Sequence, residues 1–239
     1  MNNAVLSGSK IQSSIKCILR GLAMRPERID IPVEKFLASV AGKIGHFVKI
    51  GSNDGVKNDP FGNAIDKYHW KGIMVEPFEQ NFEKLKANFG GRPNVQLEQA
   101  GITEQRGSFD FYYIENIRED EPGWYDQVGS FDKETFIKNI EVVPSLLSRI
   151  ACKQIPCMTF ADLLQKYAVE TVDLIHIDTE GYDYKILKTI DLKKVRPMIL
   201  IFEYEWLTQF EFREAKKLLT DNGYKLYYAE SDCVAVSAH

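Results

Sequence analysis

The sequence predicts an α/β fold built on a doubly wound, mainly parallel sheet, and three observations predict it. From residue 46 onward, strand-like and helix-like segments alternate along the chain. The strand segments are nearly continuously apolar rather than alternating, as expected of strands covered by helices on both faces. The first of them ends abruptly in a glycine-rich turn, the arrangement found where open sheets form a ligand crevice. With 239 residues, 44% of them hydrophobic and 12% aromatic, the chain has the apolar material for one large core. It reads as one domain, 1–239, with a helical extension over 1–45, a core over 46–239 and a lid-like insertion at about 115–150.

Residues 11–24 place Ile11, Ile15, Ile18, Leu19 and Leu22 at helical spacing, which predicts an amphipathic helix packed on the core or on a partner subunit, and hence a route to a homo-oligomer. Pro32 opens a second short helix through Ala41. HFVKI (46–50) is the first strand and is followed by the turn GSNDG; GIMVEP (72–77) is the second, FEQNFEKLKANF (78–89) a helix, and NVQLEQAG (94–101) the third strand. VDLIHID (172–178) and MILIFEY (198–204) are two more, and YKLYYA (224–229) with CVAVS (233–237) flank turn residues and predict a C-terminal antiparallel hairpin. GSFDFYYI (107–114) has strand composition, and the charged stretch after it, 115–130, is too long for an ordinary connector and predicts a lid or binding loop.

Charge and targeting narrow the function. Lys and Arg total 30 against 34 Asp and Glu, a net charge of -4, so no global field favours a nucleic acid as substrate. The N-terminus mixes Lys10, Lys16, Arg20 and Arg25 among its apolar residues, unlike a signal peptide, and no later stretch approaches membrane-spanning length; a cytoplasmic protein is the expectation. Cys17, Cys152, Cys157 and Cys233 lack CxxC pairing and His partners at zinc-ligand spacing, so they are read as reduced, mostly core thiols, and no metal site is assigned.

Ligands of such a sheet bind beyond the carboxyl ends of its strands. After the first strand, Gly51 and Gly55 bracket Ser52, Asn53 and Asp54, letting the backbone approach a ligand closely. Glu76, followed by Pro77, ends the second strand about 20 residues on, the distance at which an acid accepts hydrogen bonds from ribose hydroxyls. Gln99 and Ala100, after the third strand, suit an adenine edge. The turn lacks the GxGxxG spacing of a dinucleotide fingerprint and carries Asp54 where a pyrophosphate would sit, which weighs against a nucleotide-dependent oxidoreductase; Asp54 suits the ammonium of a methionine moiety instead.

The segments IGSNDGV (50–56), VEP (75–77), QVGSFDKE (127–134) and especially DLIHIDTEGYDYKILKTID (173–191) resemble the FkbM family of methyltransferases, over about His46 to Leu207. The resemblance implies a Rossmann-like class I methyltransferase sheet of seven strands, S-adenosylmethionine as donor, and a hydroxyl oxygen on a sugar or other small natural product as acceptor. It carries Gly51, Asn53 and Gly55 to the methionine part, Glu76 to the ribose, and Asp178 with Glu180 to the reaction centre. A methyltransferase-like binding module without turnover is the alternative from another class.

On the acceptor side, alternation puts Leu174, His176 and Asp178 on one strand face, with Asp178 at the carboxyl end, while MILIFEYE delivers Glu203 and Glu205 from the neighbouring strand. A carboxylate within hydrogen-bond reach can orient the hydroxyl and receive its proton, and Asp178 is the first choice, with Glu203 second and Glu180 beside them. Two other readings compete: Asp178 and Glu180 cap the helix beginning near Tyr182, or Asp178 and Glu203 hold a hard divalent cation. His176 is read as a satisfied core histidine. Acceptor specificity is assigned to the insertion, where Trp124, Tyr125 and Phe131 form an aromatic platform beside Arg118, Glu119, Asp120, Glu121 and Asp126.

Overall fold

In the computed structural model, residues 32–57, 59–229 and 231–238 are described. The helix expected over 11–24, Cys17, and the oligomer contact assigned to that helix lie outside them. The described residues open with helix α1 (Val33–Val40), which a 3₁₀ turn (Ala41–Lys43) leads into strand β1 (His46–Ile50). Helix α2 (Pro60–Tyr68), β2 (Lys71–Val75), α3 (Glu79–Phe89) and β3 (Val95–Glu98) follow. Then come β4 (Gly101–Ile102), β5 (Gly107–Ile114), β6 (Gly129–Ser130), α4 (Lys133–Ile140), a 3₁₀ segment (Pro144–Arg149) and β7 (Ile150–Met158). The rest is α5 (Phe160–Lys166), β8 (Leu174–Ile177), α6 (Asp183–Leu187), β9 (Ile199–Glu203), α7 (Gln209–Asp221), β10 (Tyr224–Ala229) and β11 (Asp232–Ser237).

Seven strands form one sheet in the order β10-β11-β9-β8-β1-β2-β3. β1 pairs in parallel with both β2 and β8, β2 with β3 and β8 with β9, whereas β11 runs antiparallel to both β9 and β10. The order winds outward in both directions from β1 and β8, so the switch point lies between them. The expected mostly parallel seven-stranded sheet and its C-terminal hairpin are both present.

The apolar runs follow from burial on both faces. Phe47, Leu174, Ile199 and Ile201 pack with Phe36 and Leu37 of α1 and Phe61 and Ile65 of α2 on one face. Val48, Ile50, Ile175, Ile177, Leu200 and Phe202 pack with Phe160, Ile186 and Ala215 from α5, α6 and α7 on the other. Local capping fixes where these helices start: Asp59 accepts from Phe61 N–H with Pro60 in the first turn of α2, and Thr159 with Asp162 and Thr208 with Glu211 close capping boxes at α5 and α7.

A second sheet, β4-β7-β5-β6, stands beyond β3. Its centre is the long antiparallel pair β5–β7, running from Gly107↔Cys157 to Ile114↔Ile150. GSFDFYYI is thus a strand as expected, but its main partner, IACKQIPCM, is one that the composition of the insertion did not announce. The sequence expectation that residues 94–101 make one strand is also corrected: the strand ends at Glu98, and Gly101 pairs instead with Cys157 of the second sheet. Cys157 and Cys233 are buried and Cys152 is exposed, all three as free thiols. Among the described residues, no helix is long and apolar enough to cross a membrane.

Candidate active site

At the switch point the carboxyl ends of β1 and β8 are held together, Asp178 N–H donating to the Ile50 carbonyl at 3.0 Å. The chain leaves β1 through Gly51 at φ +78°, where a Cβ would stand 1.7 Å from the Asp178 carbonyl oxygen, so only glycine fits that approach. Asn53 follows at φ 48°, and its N–H donates to Glu76 Oε2 at 2.8 Å while Phe78 N–H donates to Oε1 at 2.9 Å. The Glu76 carboxyl is thereby fixed at the end of β2, with lone pairs left over for a ligand. Its burial pushes it up to about 7.

A cavity of about 490 Å³ opens at these strand ends, within the range of small-molecule sites. Of the residues singled out from sequence, Gly51, Ser52, Asn53, Glu76, Pro77, Ala100, Tyr125, Phe131, Asp178, Glu180 and Glu203 line it. Asp54, Gly55, Gln99 and Trp124 are not in that lining. Asp54 Oδ1 is turned to its own backbone, accepting from Val56 N–H at 2.9 Å and Lys57 N–H at 2.8 Å. Gly55 instead serves packing, since a Cβ there would stand 2.5 Å from the Phe89 ring. Gln99 is exposed, and Trp124 packs edge-on against Tyr125 with centroids 4.6 Å apart.

The acidic end is built by the turn after β8. Glu180 takes a left-handed φ of 53°, and Asn139 Nδ2 of α4 donates to its Oε2 at 3.2 Å. One carboxylate oxygen each from Asp178, Glu180 and Glu203 lies within 4.8 Å of the others, the only such potential metal-holding group of three or more His, Cys, Asp or Glu among the described residues. The helix-capping reading of Asp178 and Glu180 does not hold. No side chain caps that helix; Asp183, its fully buried first residue, instead ties down the turn before it, accepting from Thr179 Oγ1 at 2.8 Å, from Thr179 N–H and Gly181 N–H, and from Glu203 N–H of β9 at 3.2 Å. Asp183 was not singled out in the sequence, where it is one more acid in a helix's first turn. Its four donors leave the Asp178 and Glu180 carboxylates free to face the cavity.

Three carboxylates in one half-buried corner repel one another and are desolvated. Burial, reinforced by Asp178 and Asp183, pushes Glu180 up to about 8; Glu203 is raised by burial and by Glu180, and its Oε2 has no hydrogen-bond partner among the described residues. Asp178 is raised by burial and by Asp59, against the pull of Lys49. A pH dependence follows. Because the folded-state value of Glu180 is raised, the folded protein binds more protons than the unfolded chain, so this contribution is full below its ordinary 4.5 and is lost as pH rises through about 8. The melting temperature of the ligand-free protein is expected to fall across that window, and Glu180→Gln to flatten the fall. Superimposable profiles for the two proteins would show that Glu180 does not titrate there.

Two residues at the floor of the cavity carry charge where the sequence suggested none. Lys49, in the middle of an apolar strand, is 2% exposed, with Nζ 3.0 Å from His176 Nδ1 and 3.4 Å from Asp59 Oδ2. An ammonium has only donors, so His176 Nδ1 accepts. Burial and then Lys49 lower His176 well below its ordinary value, keeping it neutral, and its ring stacks on Phe61 at 4.1 Å. The core role read for His176 fits this packing, although the ring also borders the cavity.

The aromatic wall comes more from the second sheet than from the loop. Phe78 packs on Phe111 and Tyr113 at 5.9 and 4.6 Å, and Phe111 meets Phe131 edge-on at 4.9 Å. Asp126, which lines the cavity, and Glu121 of the loop are both held in ion pairs. Asp126 pairs with Lys57 at 3.3 Å and Lys84 at 2.7 Å, Asn81 Nδ2 donates to its carbonyl, and Gln127 Nε2 donates to the Lys57 carbonyl at 3.1 Å. Arg149 binds Glu121 at 2.7 Å and holds that carboxyl at about 2.

The fold has known counterparts. A methyltransferase FkbM from Methylobacillus flagellatus KT superposes with a TM-score of 0.50 at 11% identity, covering 96% of this chain and 60% of that one. The METTL16 MTase domain matches with a TM-score of 0.47 at 10% identity over 87% of this chain and 66% of that one. Precorrin-6y C5,15-methyltransferase from Geobacter metallireducens GS-15 matches with a TM-score of 0.44 at 12% identity over 85% and 88%. The chain thus spans less than two thirds of the Methylobacillus protein, and at 11% identity that likeness is one of fold. No match is found among curated proteins. The methyltransferase FkbM domain family matches residues 49–226, from Lys49 in β1 to Leu226 in β10, so it takes in the glycine turn, Glu76, the whole carboxylate corner and the start of the hairpin's first strand. The chain belongs to the FkbM family of methyltransferases.

Proposed function

We propose that the protein is an S-adenosylmethionine-dependent O-methyltransferase, a single catalytic domain acting on a hydroxyl of a sugar or another small hydroxylated metabolite. The observation that carries this reading is the convergence, in one cavity, of a buried ribose-type acid at the end of β2, the Gly51 turn and the Asp178 carboxylate. Bound S-adenosylmethionine supplies a methyl carbon on a sulfonium centre, open to in-line attack by an alcohol. Glu76, held by two backbone N–H groups, orients the ribose. Asp178 accepts the hydroxyl proton as the methyl carbon passes from sulfur to oxygen and the thioether leaves, its basicity raised by burial. Phe78, Phe111, Tyr113, Phe131 and Tyr125 give the acceptor an apolar, ring-stacking wall and exclude water.

Calorimetry of S-adenosylmethionine binding tests the donor assignment. Glu76→Ala is expected to weaken binding by about 1–3 kcal/mol, the cost of losing a buried hydrogen-bonding carboxylate. Unchanged affinity would remove Glu76 from the donor site. The Asp178, Glu180 and Glu203 oxygens, all within 4.8 Å of one another, and Glu203 Oε2, which has no hydrogen-bond partner among the described residues, favour a second reading, in which the corner holds a hard divalent cation that orients the acceptor. A chelator separates the two: activity abolished by it and restored by magnesium supports the second.

A further inference from the structure

We propose that Lys49 and Asp59 receive the zwitterionic α-amino-acid end of the methyl donor, Lys49 binding its carboxylate and Asp59 its ammonium. The inference rests on the reading of the cavity as an S-adenosylmethionine site and assigns a subsite within it.

The argument begins with valences. The Lys49 ammonium has three N–H bonds, and one is taken by His176 Nδ1 at 3.0 Å. Asp59 Oδ2 stands 3.4 Å away, close enough to pair in charge, yet it is buried and has no hydrogen-bond partner among the described residues. Its other oxygen is committed to the cap of α2, accepting from Phe61 N–H at 2.8 Å. The pair therefore carries a spare donor and a spare acceptor side by side. Both residues line the cavity, as do Gly51 and Asp178. Lys49 lies two residues before the Gly51 turn, and the Phe61 ring, whose centroid is 5.4 Å from Nζ, walls it on one side.

The chemistry of the occupant follows from the two charges. A lone anion would meet Asp59, and a lone cation would meet Lys49. A group with a carboxylate next to an ammonium satisfies both at once. A pair of side chains only 2% and 8% exposed gains little for stability over an apolar pair of similar volume, so its presence at a cavity floor points to recognition. Asp54, the other acid near the glycine turn, has Oδ1 committed to its own backbone. Glu76 stands at the carboxyl end of β2, on the side toward β3, leaving the side toward β8 for the amino-acid end.

The test dissects the ligand together with the protein. S-adenosylhomocysteine carries the amino-acid end; 5′-methylthioadenosine lacks it but keeps the adenosine and thioether. The wild-type protein is expected to prefer S-adenosylhomocysteine, and Lys49→Met and Asp59→Asn to weaken it about ten- to hundredfold, the range for a charged hydrogen bond. Methylthioadenosine affinity should stay within about twofold, which also reports that the variants are folded. The double variant, which leaves neither charge buried alone, should show the same selective loss. Wild-type protein that binds the two ligands equally, or variants that lose both ligands in step, would overturn the subsite. Wild-type protein that binds neither would instead overturn the reading of the cavity as an S-adenosylmethionine site.

Discussion

Replacing Asp178 by Asn is expected to lower turnover by about 10²–10⁴, the range for losing a general base, while leaving the fold and donor affinity in place. The substitution is nearly isosteric, and Asp178 contributes to the architecture through its backbone: its N–H pairs with Ile50 and its carbonyl faces Gly51. What the change removes is the proposed acceptor of the hydroxyl proton and one carboxyl group from the corner shared with Glu180 and Glu203. Single-turnover kinetics with saturating donor would read the chemical step directly. Full activity in the variant would remove Asp178 from catalysis. If chelation also abolished wild-type activity, the loss in Asp178→Asn would belong to a cation site rather than to a base.

The second large effect is structural. Gly51→Ala places a methyl group 1.7 Å from the Asp178 carbonyl oxygen and 2.7 Å from its carbon, at a φ of +78°. The left-handed backbone and the overpacking together cost about 2–5 kcal/mol. Relief would require parting the ends of β1 and β8, and with them the two halves of the site, so donor binding should fall along with stability. Urea denaturation beside donor calorimetry would check both. Stability within about 0.5 kcal/mol of wild type, the usual span for an innocuous substitution, would show that the turn relaxes more easily than its contacts indicate.

Much of the large sheet was legible in the sequence because its strands are buried on both faces, and such strands announce themselves as apolar runs bounded by turns. β7 did not. Cys152, Gln154 and Pro156 are exposed in it, so its composition reads as a polar stretch, and a proline argues against a strand interior. The site was legible where chemistry follows strand ends: Gly51, Glu76 and Asp178 fall where a doubly wound sheet puts its ligands. Lys49 and Asp59 escaped because nothing local marks them. A lysine in HFVKI looks like an outward-facing side chain until β8 pairs alongside, setting His176 opposite it, and Asp59 looks like a helix cap, which it also is. Asp54 failed in the opposite sense, an acid in the right turn whose side chain is taken up by the turn itself.

The fastening of the insertion to Lys57 has a consequence for how two ligands communicate. Lys57 belongs to the segment that leaves the glycine turn, and its ammonium, its carbonyl and its ion-pair partner Asp126 are all shared with residues 123–127. Residues 123–127 and the segment that leaves the glycine turn are therefore tied together through Lys57. A ligand that orders either segment spends conformational freedom that the other ligand then need not spend. Under the proposed function, donor and acceptor are expected to bind cooperatively, and by reciprocity each would change the other's affinity by the same factor.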